Sequence, residues 1–151
     1  MNKLSIGDKA PSINSIDQNG EKISLDNFLG KKVVLYFYPK DMTPGCTAQS
    51  CNLRDNYENL LNSGYVILGC SADSPQKHKK FIEKYDLPFN LISDENKVVL
   101  NDYGVWGLKK FMGKEYEGII RTTFIINEQG IIDDIITKVK TKDHTSQIIP
   151  S

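Results

Sequence analysis

Residues 33–53 read VVLYFYPKDMTPGCTAQSCNL: an apolar run, a polar turn, and then a cysteine where helix-forming residues begin. The run at 33–38 is apolar and aromatic without alternation, as in a strand covered on both faces, and Pro39 ends its pairing because it has no amide hydrogen. This predicts a central strand. Residues 40–45 then form a connector, and residues 47–62 carry helix formers with apolar spacing at Leu53, Tyr57, Leu60 and Leu61. Thr43 is placed to cap that helix and Pro44 to fill its first turn.

A thiol in a first helical turn lies beside unpaired amide hydrogens and the positive end of the helix dipole, and both favour the thiolate. Cys46 occupies that place. Free cysteine is often a small buried filler, but a Gly-Cys pair after a polar, proline-flanked turn is a poor site for core packing. Cys46 is therefore expected to be an activated nucleophile.

Working outward, Ile13 and Ile16, then Ile23 and Leu25, flank an Asn19-Gly20 turn and predict an N-terminal β-hairpin. Residues 26–30 predict one helical turn stopped by Gly30. Residues 65–70 form a second buried-strand run, and Ser74-Pro75 opens a capped helix. A short helix is expected over 95–103. Residues 119–127 and 131–139 predict a closing hairpin around Asn127 and Gly130. Strand, crossover helix and parallel strand imply an α/β chain with a mixed sheet and helices on both faces.

The chain has 151 residues, enough for one domain spanning 1–151 and burying roughly 70% of the surface its unfolded form exposes. Lysine plus arginine and aspartate plus glutamate both total 19, so no basic excess draws the protein to nucleic acid or an anionic membrane. Neither partner is expected. The N-terminus has no apolar signal core, and no run approaches the ~18 apolar residues of a membrane span. Three cysteines do not make a secreted disulfide framework, and the expected compartment is the reducing cytoplasm.

Several separated motifs then agree. Pro39, Thr43 and Cys46 spell P-x-x-x-T-x-x-C, and Cys51 follows five residues after Cys46. GDKAP stands at 7–11, GVWG at 104–107, FMGKEYEGIIRTTF at 111–124 and KTKDH at 140–144. In order and spacing the chain resembles the peroxiredoxins, in particular the Q subfamily of bacterioferritin comigratory proteins, from Gly7 to His144. The resemblance implies a thioredoxin-like fold, with a mixed central sheet flanked by helices and an N-terminal extension. It also implies a thiol peroxidase that reduces hydrogen peroxide and organic hydroperoxides without metal or organic cofactor, and that thioredoxin or a similar dithiol protein recycles. The expected working unit is a monomer. A redox-switched binding or chaperone module on the same fold is the alternative, and turnover separates the two.

Peroxide reduction needs a thiolate, groups that hold the peroxide, and a positive field for the charge moving onto the departing oxygen. Cys46 is the nucleophile. Thr43 offers a hydroxyl to the thiolate or the peroxide, and Pro39 a donor-free wall. Arg121 is the candidate cation, because a guanidinium inside the strand-like run IIRTTFII is costly unless it meets a partner. The redox spacing C-x-x-C is absent, which disfavours thioredoxin-style exchange. On the resemblance, Cys51 is the resolving thiol of an atypical two-cysteine enzyme and forms an intramolecular disulfide with Cys46. Cys70 sits where a strand needs an apolar residue and is assigned no role. Cys46, Cys51 and a histidine could bind zinc, but His78 and His144 stand isolated and are expected to be surface histidines, with no metal site. Trp106 and the other aromatics are scattered, as core or site wall and not as a stacking platform for bases.

The end of the chain departs from the Q pattern. The seven residues after His144 allow only a short helix, and Pro150 limits it further. Incomplete cover of one sheet face is expected there, leaving an apolar patch or a dimer contact.

Overall fold

The structure, a computed structural model, describes residues 4–149. Pro150 lies outside the described residues. At the centre is β3 (Lys32–Phe37), paired parallel to β4 (Tyr65–Ser71) and antiparallel to β8 (Thr122–Ile126). Beyond β4 lie β5 (Asn90–Ser93), parallel to it, and the N-terminal hairpin of β1 (Asn14–Ile16) and β2 (Lys22–Ser24). Beyond β8 lies β9 (Ile132–Ile136), which makes a mixed sheet of seven strands in the order β2-β1-β5-β4-β3-β8-β9.

Burial of β3 on both faces explains its unbroken apolar sequence. Val33, Leu35 and Phe37 face a layer containing Ile13, Ile23 and α4 (Val98–Asp102), with Val99 and Leu100 packed against them. Val34, Tyr36 and Tyr38 face the larger helices: α1 (Pro44–Asp55), α2 (Tyr57–Asn62) and α3 (Pro75–Tyr85), through Leu53, Leu60 and Phe81. Each such side chain contributes about 1.5–3 kcal/mol of burial. Gly69 in β4 is dictated by this packing. A Cβ there would stand 2.6 Å from Leu91 Cδ2 and 2.8 Å from Tyr36 Cζ, and the Tyr36 hydroxyl crosses to Ser50 Oγ at 2.9 Å.

The structure differs from the sequence expectations in four places. The helix expected over 47–62 is two helices, because Asn56 breaks it. The Asn56 side-chain amide and backbone N–H both donate to Asn52 O, so the side chain competes with the helical ladder. The helix expected over 95–103 shrinks to Val98–Asp102. Residue 119 does not begin β8 but ends β7 (Lys114–Ile119), which pairs antiparallel with β6 (Trp106–Phe111) in a separate two-stranded sheet that the sequence reading did not foresee. Finally, α5 (His144–Ile148), short as expected, covers its sheet face: Ile148 is 7% exposed and packs in the helix-side core. The three most exposed of the described large apolar side chains lie on the β6–β7 hairpin, where Leu108 and Phe111 are each 68% exposed and Met112 88%. Among the described residues, no helix is long and apolar enough to cross a membrane.

Candidate active site

Cys46 is the third residue of α1, after Pro44 and Gly45, and is 1% exposed. Thr43 stands at the cap in extended backbone geometry, and its carbonyl accepts the first helical bond from Thr47 N. Its side chain does not cap the helix as expected. Thr43 Oγ1 turns back and donates to Lys40 O at 2.7 Å, so the hydroxyl braces the connector instead. The helix start is thus left without a side-chain cap, and its free amide hydrogens belong to the turn that carries the thiol.

Arg121 lies between β7 and β8 and reaches back across the mouth of α1. Its Nη2 donates to Cys46 Sγ at 3.3 Å and its Nη1 to Gln49 Oε1 at 2.6 Å. Gln49 is one helical turn after Cys46, fully buried, so the fork is held by two side chains on the same helix face. Gly45 leaves room for this approach, since a Cβ there would crowd Arg121 Nη2 at 3.2 Å. Lys109 on β6 adds a second, partly buried cation anchored to Ile119 O at 2.9 Å. Burial and the Arg121 charge push its pKa down, while Cys46 pulls it back up. The site thus sets a buried sulfur at a helix start, with a guanidinium against it and a second cation nearby.

The AhpC/TSA family model matches residues 6–135. The chain belongs to the AhpC/TSA family. It is 47% identical over 149 residues to the peroxiredoxin Bcp of Escherichia coli K12, covering 99% of this chain and 96% of that one. The peroxiredoxin Bcp of Bacillus subtilis is 46% identical over 146 residues, covering 97% and 93%. Among solved structures, one of Xanthomonas campestris peroxiredoxin Q superposes with a TM-score of 0.84 at 32% identity, covering 90% of this chain and 86% of that one. The fold is therefore the thioredoxin-like fold of Bcp-type peroxiredoxins, and the protein is a thiol peroxidase that works on hydroperoxides at the expense of a reductant.

Of the peroxiredoxin's expected site residues, Cys46 and Arg121 meet directly, and Thr43 sits in the connector ahead of them. Pro39 lines a neighbouring cavity of about 370 Å3 with Trp106, Lys109, Tyr116 and Ile119. Cys51 shares α1 but points elsewhere, half-buried; burial pushes its thiol up, with Arg54 partly offsetting this. Cys70 is fully buried in β4, and burial, with Asp94 adding to it, raises its pKa well above the ordinary range.

The expectation of surface histidines is corrected, since His78 and His144 are both completely buried. His78 lies one turn before Phe81 on the inner side of α3, with Nδ1 at 2.7 Å from Asp41 Oδ2 and Nε2 at 2.9 Å from Ile92 O. His144 Nε2 meets Thr123 Oγ1 at 2.8 Å and Nδ1 meets Gln147 Oε1 at 2.8 Å, while burial lowers its pKa. Asp41, Ile92 and Thr123 lie 37, 14 and 21 residues away from their histidines, so spacing gave no sign of the burial. Gln49 and Lys109 escaped sequence reasoning for the same reason. Among the described residues, the one group of potential metal ligands close together is Asp41, Asp73 and His78, and neither Cys46 nor Cys51 belongs to it.

Proposed function

We propose that Cys46 is the peroxidatic nucleophile, and the observation that carries this is Arg121 Nη2 at 3.3 Å from its sulfur at the start of α1. The thiolate attacks the outer oxygen of a hydroperoxide; the O–O bond breaks, sulfur becomes a sulfenic acid, and the departing alkoxide or hydroxide takes a proton. Arg121 stabilises charge on sulfur in the ground state and on both oxygens as they separate. Gln49 keeps the guanidinium oriented. Thr43 offers its oxygen to the peroxide, and Pro39 walls off water.

Cys51 then condenses with the sulfenic acid, releasing water and forming the Cys46–Cys51 disulfide. A thioredoxin-like dithiol reduces that bond and restores both thiols. Both cysteines lie on one helix, so the cycle needs no second copy. The reading is of one domain over residues 1–151 acting as a monomer in the cytoplasm, where thiols stay reduced.

The test is peroxide consumption with a dithiol reductant supplied. The parent should turn over many equivalents, Cys46→Ser none, and Cys51→Ser about one before stalling without an intramolecular disulfide. Sustained turnover by Cys46→Ser would sink the assignment.

A further inference from the structure

The connector that delivers the thiol, residues 39–43, is fastened on its inner side by a polar network sealed from solvent. Asp41 is 5% exposed, Asp73 8% and His78 0%. Asp41 Oδ1 accepts from the Tyr38 hydroxyl at 2.5 Å, Oδ2 faces His78 Nδ1 at 2.7 Å, and the Asp41 backbone N–H donates to Asp73 Oδ2 at 2.9 Å. The Ser71 hydroxyl donates to the same Asp73 oxygen at 2.6 Å, and the Ser93 hydroxyl donates to Asp73 O. Through His78 Nε2 and Ile92 O the network also grips β5. The ends of β3, β4 and β5 and the first turn of α3 thus converge on one residue of the connector.

Such a network is a costly way to fill a core. Burying carboxylates costs several kcal/mol per ion before pairing, and apolar packing of equal volume is often as stable. Its position gives the reason. Met42, directly after Asp41, holds φ 67, a left-handed conformation that costs a non-glycine residue about 1 kcal/mol. The connector therefore turns against its own preference, and Asp41 is where it is held. Thr43, whose hydroxyl closes onto Lys40 O, and Cys46 follow at once. In a site where ~1 Å of misplacement can cost about 100-fold, the anchor decides where the peroxide-handling groups stand. Both Asp41 oxygens, both His78 ring nitrogens and Asp73 Oδ2 already have hydrogen-bond partners within the fold, which is the pattern of a brace.

We propose that Asp41, His78 and Asp73 are positioning residues for peroxide reduction, with His78 the strut through which α3 holds the connector in its reactive shape. This rests on Cys46 being the nucleophile. The prediction is a split between two reactions of one thiol. Peroxide reduction needs Thr43 and Pro39 in place around Cys46, whereas alkylation needs only an available thiolate.

Two variants separate the contacts of His78. In His78→Asn the amide falls where Nδ1 was and keeps a donor for Asp41, while in His78→Gln it falls where Nε2 was and keeps only the Ile92 contact. For each folded variant, the rate of Cys46 oxidation by hydrogen peroxide in a single turnover is compared with its alkylation by iodoacetamide at the same pH, both read by peptide mass spectrometry. His78→Gln should lose at least tenfold in the peroxide rate, with alkylation within threefold of the parent; His78→Asn should keep its peroxide rate within threefold. Peroxide and alkylation rates falling together, an unchanged peroxide rate in His78→Gln, or equal losses in both variants would overturn the proposal. If neither variant folds, Tyr38→Phe decides, because it removes one hydroxyl from Asp41 and no core volume. A threefold or larger fall in the peroxide rate alone upholds the strut, and an unchanged rate refutes it. Failure of the underlying reading would look different: peroxide would leave Cys46 of the parent itself unoxidised.

Discussion

Replacing Asn52 with serine should speed closure of the proposed disulfide about tenfold while leaving the first reaction with peroxide alone. Cys46 and Cys51 both lie within α1. Five residues of α-helix set their α-carbons ~8.6 Å apart, from a rise of ~7.5 Å and a turn of ~140°. A disulfide rarely spans more than ~7 Å, so the first turns of α1 must unwind before the sulfurs can bond. Asn52 resists this by fastening α1 to the first turn of α5 and the segment before it. Its Nδ2 donates to Lys142 O at 3.0 Å, and its Oδ1 accepts from Thr145 N at 2.8 Å and from Thr145 Oγ1 at 2.7 Å. Three partly exposed bonds at the low end of their net worth, about 0.5 kcal/mol each, sum to about 1.5 kcal/mol, or roughly tenfold in the opening equilibrium. Serine is too short to reach either partner, and its helix propensity is close to that of asparagine, so the comparison reads the clamp and not the helix. After one equivalent of hydrogen peroxide, alkylation-quenched mass spectrometry follows sulfenic acid and disulfide in time, and hydrogen exchange reports protection of residues 47–52. Sulfenic acid formation should stay within twofold of the parent. An unchanged or slower disulfide step, despite faster exchange in that stretch, would refute unwinding as the controlling event, and equal protection in the reduced and disulfide forms would refute unwinding altogether.

Arg121→Ala should slow peroxide reduction well over tenfold, since it removes a cation in contact with the Cys46 sulfur proposed to react, and Arg121→Lys should restore only part because it lacks the planar fork; full activity in a folded Arg121→Ala protein would take Arg121 out of the site. In alkylation at pH 6 followed by peptide mapping, Cys46 should react first and Cys70 last, because Cys70 is fully buried and its thiol is pushed well up; early modification of Cys70 would reverse the assignment. His144 titrates below its ordinary value of 6.5 because burial penalises its charged form, so on acidification the unfolded chain takes the proton first. Its contribution to stability is therefore complete above pH 6.5 and declines as pH falls from there toward the folded value. Urea midpoints of the parent should drop relative to His144→Gln between pH 7.5 and 5.5, and parallel curves would contradict a neutral buried ring.

What the sequence made legible was whatever local chemistry writes locally. The unbroken apolar run of β3, the proline that ends it and the thiol among helix formers needed no tertiary information, and each stands where expected. The β6–β7 hairpin was missed because it is not held by burial. WGLKKF and KEYEGI are largely exposed, and the strands are stabilised by their mutual ladder and by Lys97 and Lys109 over the rings of Trp106 and Tyr116. Hydrophobic periodicity has nothing to register there. The available signal was the turn: Met112 at φ 51 and Gly113 at φ 79 form the two-residue left-handed corner that tight hairpins favour, marked in the sequence only by one glycine.

The surroundings of the thiol were illegible for a different reason, and Gly45 shows it. A glycine between proline and the cysteine reads as turn chemistry, yet Gly45 is helical and is not among the residues with positive φ, so its backbone does not require glycine. What it makes room for is the guanidinium of Arg121, delivered from the start of β8, which a Cβ at 45 would meet at 3.2 Å and push back by a few tenths of an ångström. Gln49 is the mirror case. As a helix residue it looks like surface, but it is fully buried because its carbonyl oxygen takes the other arm of the same guanidinium. The small residue at 45 and the buried amide at 49 thus both answer to residue 121, across the antiparallel pairing of β3 with β8. That pairing places Thr122 beside Phe37, and so brings Arg121 to the end of the strand from which the thiol's connector departs.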